Sequence, residues 1–291
     1  MNKKLVSFLL PAYNYQQGNI LIVKKLLEGI SIFNYRKIEI IVSDNSKNDS
    51  LFDELSSVIP SDISFSYMHN KPASTPSENW NSLIDRSNAL YYILIHHDEF
   101  PYSAKLADKL ISLIESKEDI DLIVMDCLVY SNGFARQHVS MGFKNLFLSY
   151  MPSFIILKNI IGPTASLVIK KEKSKYFDEN IFWLMDVDYY YRILKEAQNI
   201  LYIDDLKIIS NINRSDSLTS SIRSQVDLIN KKELVLLKVK YPEIDFFKLK
   251  LLKFFFWYPY RFLQRGWQFI FRKKIDFNMP SEMNGFKKND H

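Results

Sequence analysis

Glycine is scarce in this sequence, with 7 of 291 residues against a usual share of about 7%. The seven glycines lie too far apart to form G-x-G-x-x-G or the Walker loop G-x-x-x-x-G-K-[ST]. Both motifs need closely spaced glycines, because the backbone must approach a phosphate without a Cβ in the way. The sequence therefore argues against a dinucleotide-binding Rossmann enzyme and against a P-loop nucleotide hydrolase.

Cysteine and long apolar runs are also missing. Cys127 is the only cysteine, so it has no partner for a disulfide or a zinc site, and we expect a small buried side chain. The apolar run at residues 5–10 stops at Pro11, and no run approaches the roughly 18 residues that span a membrane. We expect a buried first strand rather than a signal peptide, in a soluble or peripheral protein.

Positive charge is concentrated at one end of the chain. The net charge is +5, yet residues from 221 onward hold 15 Lys and Arg against 7 Asp and Glu, while the first 220 hold 23 against 26. Hydrophobic residues make up 47% and charged residues 24%, which are ordinary values for a globular protein. We expect a globular domain over residues 1–220 and a helical extension over 221–291 that offers a basic attachment surface.

Runs of strand length alternate with stretches of helical spacing over the first 125 residues. The predicted strands are 5–10, 38–42, 63–68, 91–95 and 121–125, and the predicted helices are 17–33, 49–58, 77–89 and 103–116. This alternation predicts an α/β fold with a mostly parallel central sheet flanked by helices. Further along, the pattern predicts strands at 164–169, 201–203 and 206–212 and helices at 186–196, 223–240 and 246–274.

Three polar clusters follow predicted strands, at residues 11–14, 43–46 and 96–99. Each cluster alone fits an ordinary loop. In an open parallel sheet, however, ligands bind outside the carboxyl ends of the strands. Together the clusters bring an aromatic ring, an acid and an acidic pair to one edge, which is what a nucleotide and its divalent ion need.

The adjacent acids Asp98 and Glu99 are the sharpest feature of the sequence. Their mutual repulsion is most simply offset by a cation, and hard carboxylate oxygens suit Mg²⁺ or Mn²⁺. The alternative is a solvated loop. For His96 we favour a structural, hydrogen-bonded histidine over a metal ligand.

A second acidic element, Asp186-Val187-Asp188, opens a predicted helix. Asp188 can pair with Arg192 one turn on. The helix dipole favours the ionised form of Asp186, and an ionised carboxylate there can accept a proton from a hydroxyl. The alternative role for Asp186 is an N-cap.

Five blocks in this order, 6–14, 38–46, 78–99, 161–172 and 183–192, resemble the family 2 glycosyltransferases, which have the GT-A fold. The resemblance covers residues 5–215. It implies Asp186 as the general base, and Asp98 and Glu99 as ligands of Mn²⁺ or Mg²⁺ at the diphosphate. It also implies nucleotide contacts from Pro11, Tyr13, Asp44 (to the uracil), Asn79 and Asp98, and donor-sugar or acceptor contacts from Gly162, Pro163, Thr164 and Trp183.

The function that the resemblance implies is inverting transfer of a sugar from a nucleotide-diphosphate donor of the UDP type to a hydroxyl of a lipid-linked saccharide, in surface polysaccharide synthesis. Two alternatives remain. One is a non-catalytic membrane-bound scaffold, since the metal motif reads His97-Asp98-Glu99 and Asn213 stands where relatives often carry a histidine. The other is a nucleotidyltransferase, although the usual glycine-rich loop after the first strand is missing.

The C-terminal extension is both basic and aromatic. Lysines at 248, 250 and 253 border the aromatic run 254–258, and Pro259 should kink or split the helix. This composition is typical of a helix lying on anionic lipid, which places the protein in the cytoplasm, on the inner face of the plasma membrane. The predicted membrane residues are Trp257, Arg261, Arg265, Trp267 and Arg272. The alternatives are packing on the catalytic domain and a homodimer; we expect no nucleic-acid partner.

Overall fold

The computed structural model describes residues 4–13, 16–47, 50–131, 134–211 and 224–270, and its described strands form one nine-stranded sheet. In chain order the strands are β1 (Val6–Ala12), β2 (Ile38–Asp44), β3 (Ser64–His69), β4 (Tyr91–Leu94), β5 (Glu99–Pro101), β6 (Leu122–Ser131), β7 (Phe134–Gln137), β8 (Leu167–Lys170) and β9 (Ile200–Asn211). Their order across the sheet is β3-β2-β1-β4-β8-β6-β9-β5, with β7 paired to β6.

Parallel pairing dominates the half of the sheet that contains the predicted ligand edge. β1 runs parallel to β2 and β4, and β2 runs parallel to β3, so the carboxyl ends of these four strands meet at one edge. Beyond β4 the sheet is mixed, because β8 runs antiparallel to both of its neighbours while β6 and β9 are parallel to each other. The prediction of an α/β fold with a mostly parallel sheet is confirmed.

Helices cover both faces of the sheet. They are α1 (Gln16–Glu28), α2 (Ser50–Val58), α3 (Pro76–Arg86), α4 (Leu106–Ser116), α5 (Met141–Tyr150), α6 (Phe154–Leu157), α7 (Met185–Glu196), α8 (Val226–Lys240), α9 (Phe246–Leu252) and α10 (Tyr258–Ile270). Successive side chains of a strand point to opposite faces. Accordingly Phe8 and Leu10 belong to one buried apolar cluster and Leu9 to the other.

Several local predictions differ from the structure. The N-cap of α3 is Thr75, which forms a reciprocal capping box with Glu78. The helix therefore begins at Pro76, one residue before the predicted start. Residues 164–166 form a turn of 3₁₀ helix before β8. The two strands predicted at 201–212 are one strand, β9, with a register shift opposite the Met125–Asp126 step of β6. The short strand β5 escaped prediction because its three residues show no periodicity.

The C-terminal helices pack on the same core as the sheet. Leu237, Leu249 and Trp257 lie in the buried apolar cluster that also contains Tyr92 of β4. A π-helical segment, Lys253–Trp257, connects α9 and α10 directly before Pro259. The predicted break near this proline is therefore a local change of helix type: the helical run continues through Pro259, and the π-helical segment lies where the proline has no backbone N–H to donate. The predicted domain boundary at residue 220 falls outside the described residues.

In the described part of the chain, no helix combines the length and the apolarity needed to cross a membrane.

Candidate active site

A cleft of about 1120 Å³ opens at the carboxyl edge of the parallel strands. Residues from distant parts of the chain line it. Those among the predicted site residues are Pro11, Tyr13, Asn79, Asp98, Glu99, Trp183 and Asp186. The predicted nucleotide contacts and the predicted general base, Asp186, therefore line the same cavity.

Asp186 stands in the first turn of α7, with its side chain half-buried in the cleft wall. Its Oδ1 atom has no hydrogen-bond partner. The N-cap position of α7 is Leu184, and no side chain caps this helix, so the alternative of Asp186 as an N-cap is wrong. Burial raises the pKa of Asp186 to about 6, although the nearby His96 opposes the shift. Desolvation thus outweighs the helix dipole, which was expected to favour the ionised form.

Asp188, two residues further on, has a structural role. Its Oδ2 atom accepts a hydrogen bond from Arg192 Nε at 2.9 Å, which confirms the predicted pair within the helix. Its Oδ1 atom accepts from the Tyr241 hydroxyl at 2.6 Å and lies 2.8 Å from Lys240 Nζ. These contacts join α7 to the end of α8 and so orient the helix that carries Asp186.

His96 and Glu99 form an internal pair close to Asp186. Glu99 Oε1 lies 3.0 Å from His96 Nδ1, and its Oε2 atom accepts backbone N–H bonds from His96 and Ala165, each at 3.2 Å. Burial alone lowers the pKa of His96, but the carboxylates of Glu99, Asp98 and Asp186 raise it to about 9. These carboxylates therefore favour the protonated imidazole, and the predicted hydrogen-bonded histidine is found at Nδ1.

The two predicted metal ligands are differently placed. Glu99 is 5% exposed, and both of its oxygens face N–H groups, so in this arrangement it does not fit a metal ion. Asp98 is half-exposed in the cleft and fits, since Mg²⁺ is often held by one or two carboxylates plus substrate phosphates and water. Among the described residues, no group of three or more histidine, cysteine, aspartate or glutamate side chains is arranged to hold a metal.

The predicted nucleotide residues divide into cleft wall and interior. Tyr13 is 54% exposed and lines the cleft with Pro11. Asn79 is buried and donates to the Ser43 carbonyl at 3.3 Å. Asp44 is fully buried, where it accepts hydrogen bonds from the Tyr67 hydroxyl at 2.6 Å and the Ser46 amide at 2.7 Å.

The structure thus does not bring Asp44 to the cleft wall, where Asn45 stands instead. The reason is that Asp44 is the last residue of β2, a strand in which every residue is buried. Asn14 lies outside the described residues.

Gly162, Pro163 and Thr164 lie behind the wall rather than in it. The Thr164 hydroxyl is 3.0 Å from His96 Nδ1. Gly162 has a φ of +114°, and a Cβ there would come within 3.2 Å of Cys127 Cβ, so only glycine fits easily. Cys127 is the buried filler that the sequence predicted, and burial raises the pKa of its thiol to about 12.

Sequence reasoning missed several residues of the cleft. The Trp80 ring contacts the His96 ring in a tilted arrangement, with ring centres 4.5 Å apart and an interplanar angle of 56°, and it also contacts Phe177. Lys158 and Lys253 line the cleft as well. Trp80 lies within a block that the resemblance already included. Lys158 belongs to a segment without periodicity and Lys253 to the predicted C-terminal helix, so only the tertiary structure brings these two lysines to the cleft.

The predicted membrane residues do not share one surface. Trp257 is 5% exposed and packs against Phe143, so its prediction as a lipid contact is wrong: the core buries its ring. Arg261 is half-buried and donates to the His138 carbonyl at 2.9 Å. Arg265 and Trp267 are exposed, and Arg272 lies outside the described residues. The other exposed aromatic side chains of the described C-terminal helices are Phe247, Phe254, Phe255, Phe256, Tyr258 and Phe262.

Comparison with known proteins identifies the family. Residues 7–194 match the family described as Glycosyl transferase family 2. The chain belongs to this family. No curated protein sequence matches it significantly.

Solved structures share the GT-A fold. S. aureus TarS 1-349 in complex with UDP-GlcNAc is 12% identical with a TM-score of 0.61, over 74% of this chain and 61% of that one. The mannosyltransferase PcManGT from Pyrobaculum calidifontis, in complex with GDP-Man and Mn2+, is 11% identical with a TM-score of 0.57, over 81% and 65%. This chain therefore spans less than two thirds of the length of either protein.

Proposed function

We propose that this family 2 protein is an inverting glycosyltransferase that moves a sugar from a nucleotide-diphosphate donor, of the UDP type, to a hydroxyl of a lipid-linked saccharide in surface polysaccharide synthesis. One observation supports the proposal most strongly. Asp186 lines the same cleft as Asp98 and Tyr13, and its buried Oδ1 atom has no hydrogen-bond partner. A base, a diphosphate site and an aromatic platform are thereby combined.

The chemistry follows from this arrangement. Asp186 accepts the proton of the acceptor hydroxyl, and a pKa of about 6 makes it a stronger base than an ordinary aspartate while leaving it mostly ionised at neutral pH. The acceptor oxygen then attacks the anomeric carbon on the face opposite the nucleotide, the bond to the diphosphate breaks, and the configuration inverts. A single base suffices because nucleophile and leaving group lie on opposite faces.

The leaving diphosphate gains negative charge, and the chain offers two groups to it. Asp98 is the side chain that would hold Mn²⁺ or Mg²⁺, which when bound neutralises part of this charge. His96 contributes a fixed positive charge beside the acidic residues. Among solved relatives of the same fold, TarS binds UDP-GlcNAc, and PcManGT binds GDP-Man with Mn2+, which supports a nucleotide-sugar donor here.

A panel of nucleotide-sugars tests the proposal. The full chain is incubated with UDP-, GDP-, CMP- and dTDP-sugars, with and without Mn²⁺, and thermal shift and slow donor hydrolysis are both measured. We expect a UDP-sugar to raise the melting temperature and to be hydrolysed. Stabilisation without hydrolysis by any donor would favour the scaffold, and stabilisation by none would refute the transferase.

The proposal includes a peripheral location on the inner face of the plasma membrane. The aromatic side chains Phe254, Phe255 and Phe262 are each more than half exposed, which is unusual for a surface in contact with water. Exposed lysines of α9, Lys248 and Lys250, lie beside them. Aromatic rings bordered by cations suit anionic lipid, and this face is the part of the protein through which we expect it to meet a lipid-linked acceptor.

A further inference from the structure

Four cationic side chains meet where the C-terminal helices border the cleft. Lys158 and Lys253 line the cleft itself. Lys158 Nζ and Arg261 Cζ lie 5.4 and 5.3 Å from the ring centre of the buried Trp257. Arg265 follows one turn after Arg261 and interacts electrostatically with both Arg261 and Lys158. We call Lys158, Lys253, Arg261 and Arg265 the cationic cluster.

Within the described part of the chain, no member of the cationic cluster forms a salt bridge with a carboxylate. Burial, followed by the charges of the three other members, lowers the pKa of Lys158, and burial lowers the pKa of Lys253. The direct polar partners of Lys253 and Arg261 are neutral, namely the carbonyl oxygens of Leu157 and His138 and the side chain of Gln264. Holding like charges together costs free energy, and a bound anion is what offsets that cost.

Apolar surface adjoins the cluster on the same elements. Ile156 and Leu157, directly before Lys158, line the cleft together with Leu234. Directly after Lys253 come the exposed rings of Phe254 and Phe255. A ligand that fits this site therefore combines an anionic group with an apolar chain.

The size of the cleft leaves room for such a ligand beside a donor. Sites for one small molecule commonly measure about 300–1,000 Å³, whereas this cleft measures about 1120 Å³. Asp186 lies in the same cavity as Lys158 and Lys253, so a molecule held by the lysines can present a hydroxyl to the base.

The geometry points to the cationic cluster as the binding site for the phosphate or diphosphate group of the acceptor, a phosphate ester of a long apolar alcohol that carries the saccharide. This inference deepens the proposed function and rests on it, because it names the anchor of the acceptor in the same cleft. The anion lies between the lysines, and the apolar chain follows the exposed aromatic residues of Lys253–Trp257 towards the lipid.

Binding of farnesyl diphosphate to the full chain tests the inference by calorimetry, with farnesol and inorganic diphosphate as the two partial ligands. We expect farnesyl diphosphate to bind at least 10-fold more tightly than either. In the double variant Lys158→Gln/Lys253→Gln its Kd should rise at least 10-fold, and in Lys158→Arg/Lys253→Arg, which keeps the charge, binding should be retained. The matched control is Lys231→Gln/Lys232→Gln, in which two exposed lysines of α8 that do not line the cleft are replaced.

Three outcomes overturn the inference. An unchanged Kd in the Lys158→Gln/Lys253→Gln variant, with an unchanged melting curve, places the ligand elsewhere. Equal affinity for inorganic diphosphate indicates a free-phosphate site. An equal loss of binding to phosphatidylglycerol vesicles indicates that the cluster recognises bilayer headgroups in general. Donor hydrolysis by the wild-type chain reports on the proposed function separately, so failure of one is distinguishable from failure of the other.

Discussion

The Oε2 atom of Glu233 lies 2.7 Å from the backbone nitrogen of Leu184, two residues before the proposed base. The same carboxylate also accepts a hydrogen bond from the Phe182 N–H at Oε1 and one from the Trp183 N–H at Oε2, each at 2.9 Å. Glu233 belongs to α8 and is 6% exposed. An element of the C-terminal extension therefore fixes the backbone that leads into Asp186, the proposed base.

Glu233→Gln should weaken this anchor. The glutamine retains one acceptor oxygen but turns an NH₂ group towards backbone donors, and charge-assisted bonds of this kind contribute about 1.5–3 kcal/mol each. We expect kcat to fall roughly 10- to 100-fold while KM for the donor changes little, because the predicted nucleotide contacts, unlike Trp183, lie on other elements. The control Glu243→Gln removes an exposed pair with Lys195 and should change neither. A rise in donor KM with unchanged kcat would contradict the positioning role.

Asp186→Asn should abolish transfer and stabilise the fold. Loss of a general base lowers kcat by roughly 10²- to 10⁴-fold. The native pKa of about 6, raised from 3.8, means that folding is opposed by ionisation, so the variant should gain roughly 1–3 kcal/mol at pH 7. The gain should vanish below about pH 4 and reach its plateau above pH 6. Chemical denaturation at several pH values measures it, and a loss of stability would instead indicate a structural role.

The pH dependence of the wild-type enzyme should report the same group. Asp186 accepts a proton only when ionised, so kcat/KM should rise tenfold per pH unit at low pH and level off near pH 6. His96 and Glu99 are the charged groups that act on this carboxylate. The residual activity of Asp186→Asn should lack the acidic limb. An acidic limb with its midpoint near pH 4, the ordinary pKa of aspartate, would show that burial does not raise the pKa of Asp186.

The sequence predicted the framework of this site better than its details. Asp98 follows the strand β4, and Asp186 lies at the start of the helix α7. The parallel topology brings such positions to one edge of the sheet, whatever their separation in the chain. Asp44 and Glu99 look the same in the sequence, yet both are buried with their oxygens engaged. Whether a carboxylate faces a cleft or the interior depends on neighbours from other elements, and local patterns do not carry that information.

Metal dependence should separate the two acidic residues of the 98–99 pair. If Asp98 holds the ion, Asp98→Asn should raise the Mn²⁺ concentration needed for half-maximal activity at least 10-fold. Glu99→Gln should leave that concentration unchanged and lower kcat, because Glu99 pairs with His96 and faces N–H donors. A titration of Mn²⁺ into metal-depleted enzyme measures both. If both variants raise the Mn²⁺ concentration for half-maximal activity equally, Glu99 is a metal ligand as well.

Membrane attachment should depend on the exposed aromatic residues rather than on Trp257. Phe254 and Phe255 are 62% and 63% exposed, and burying one phenylalanine side chain contributes about 1.5–3 kcal/mol. Phe254→Ser/Phe255→Ser should therefore reduce sedimentation with phosphatidylglycerol vesicles at least 10-fold. The matched control is Ile32→Ser/Phe33→Ser, which replaces two exposed apolar residues on a separate element and should sediment as the wild type does. If the wild type does not sediment with vesicles but forms a dimer that the Phe254→Ser/Phe255→Ser variant dissociates, the face is a subunit interface.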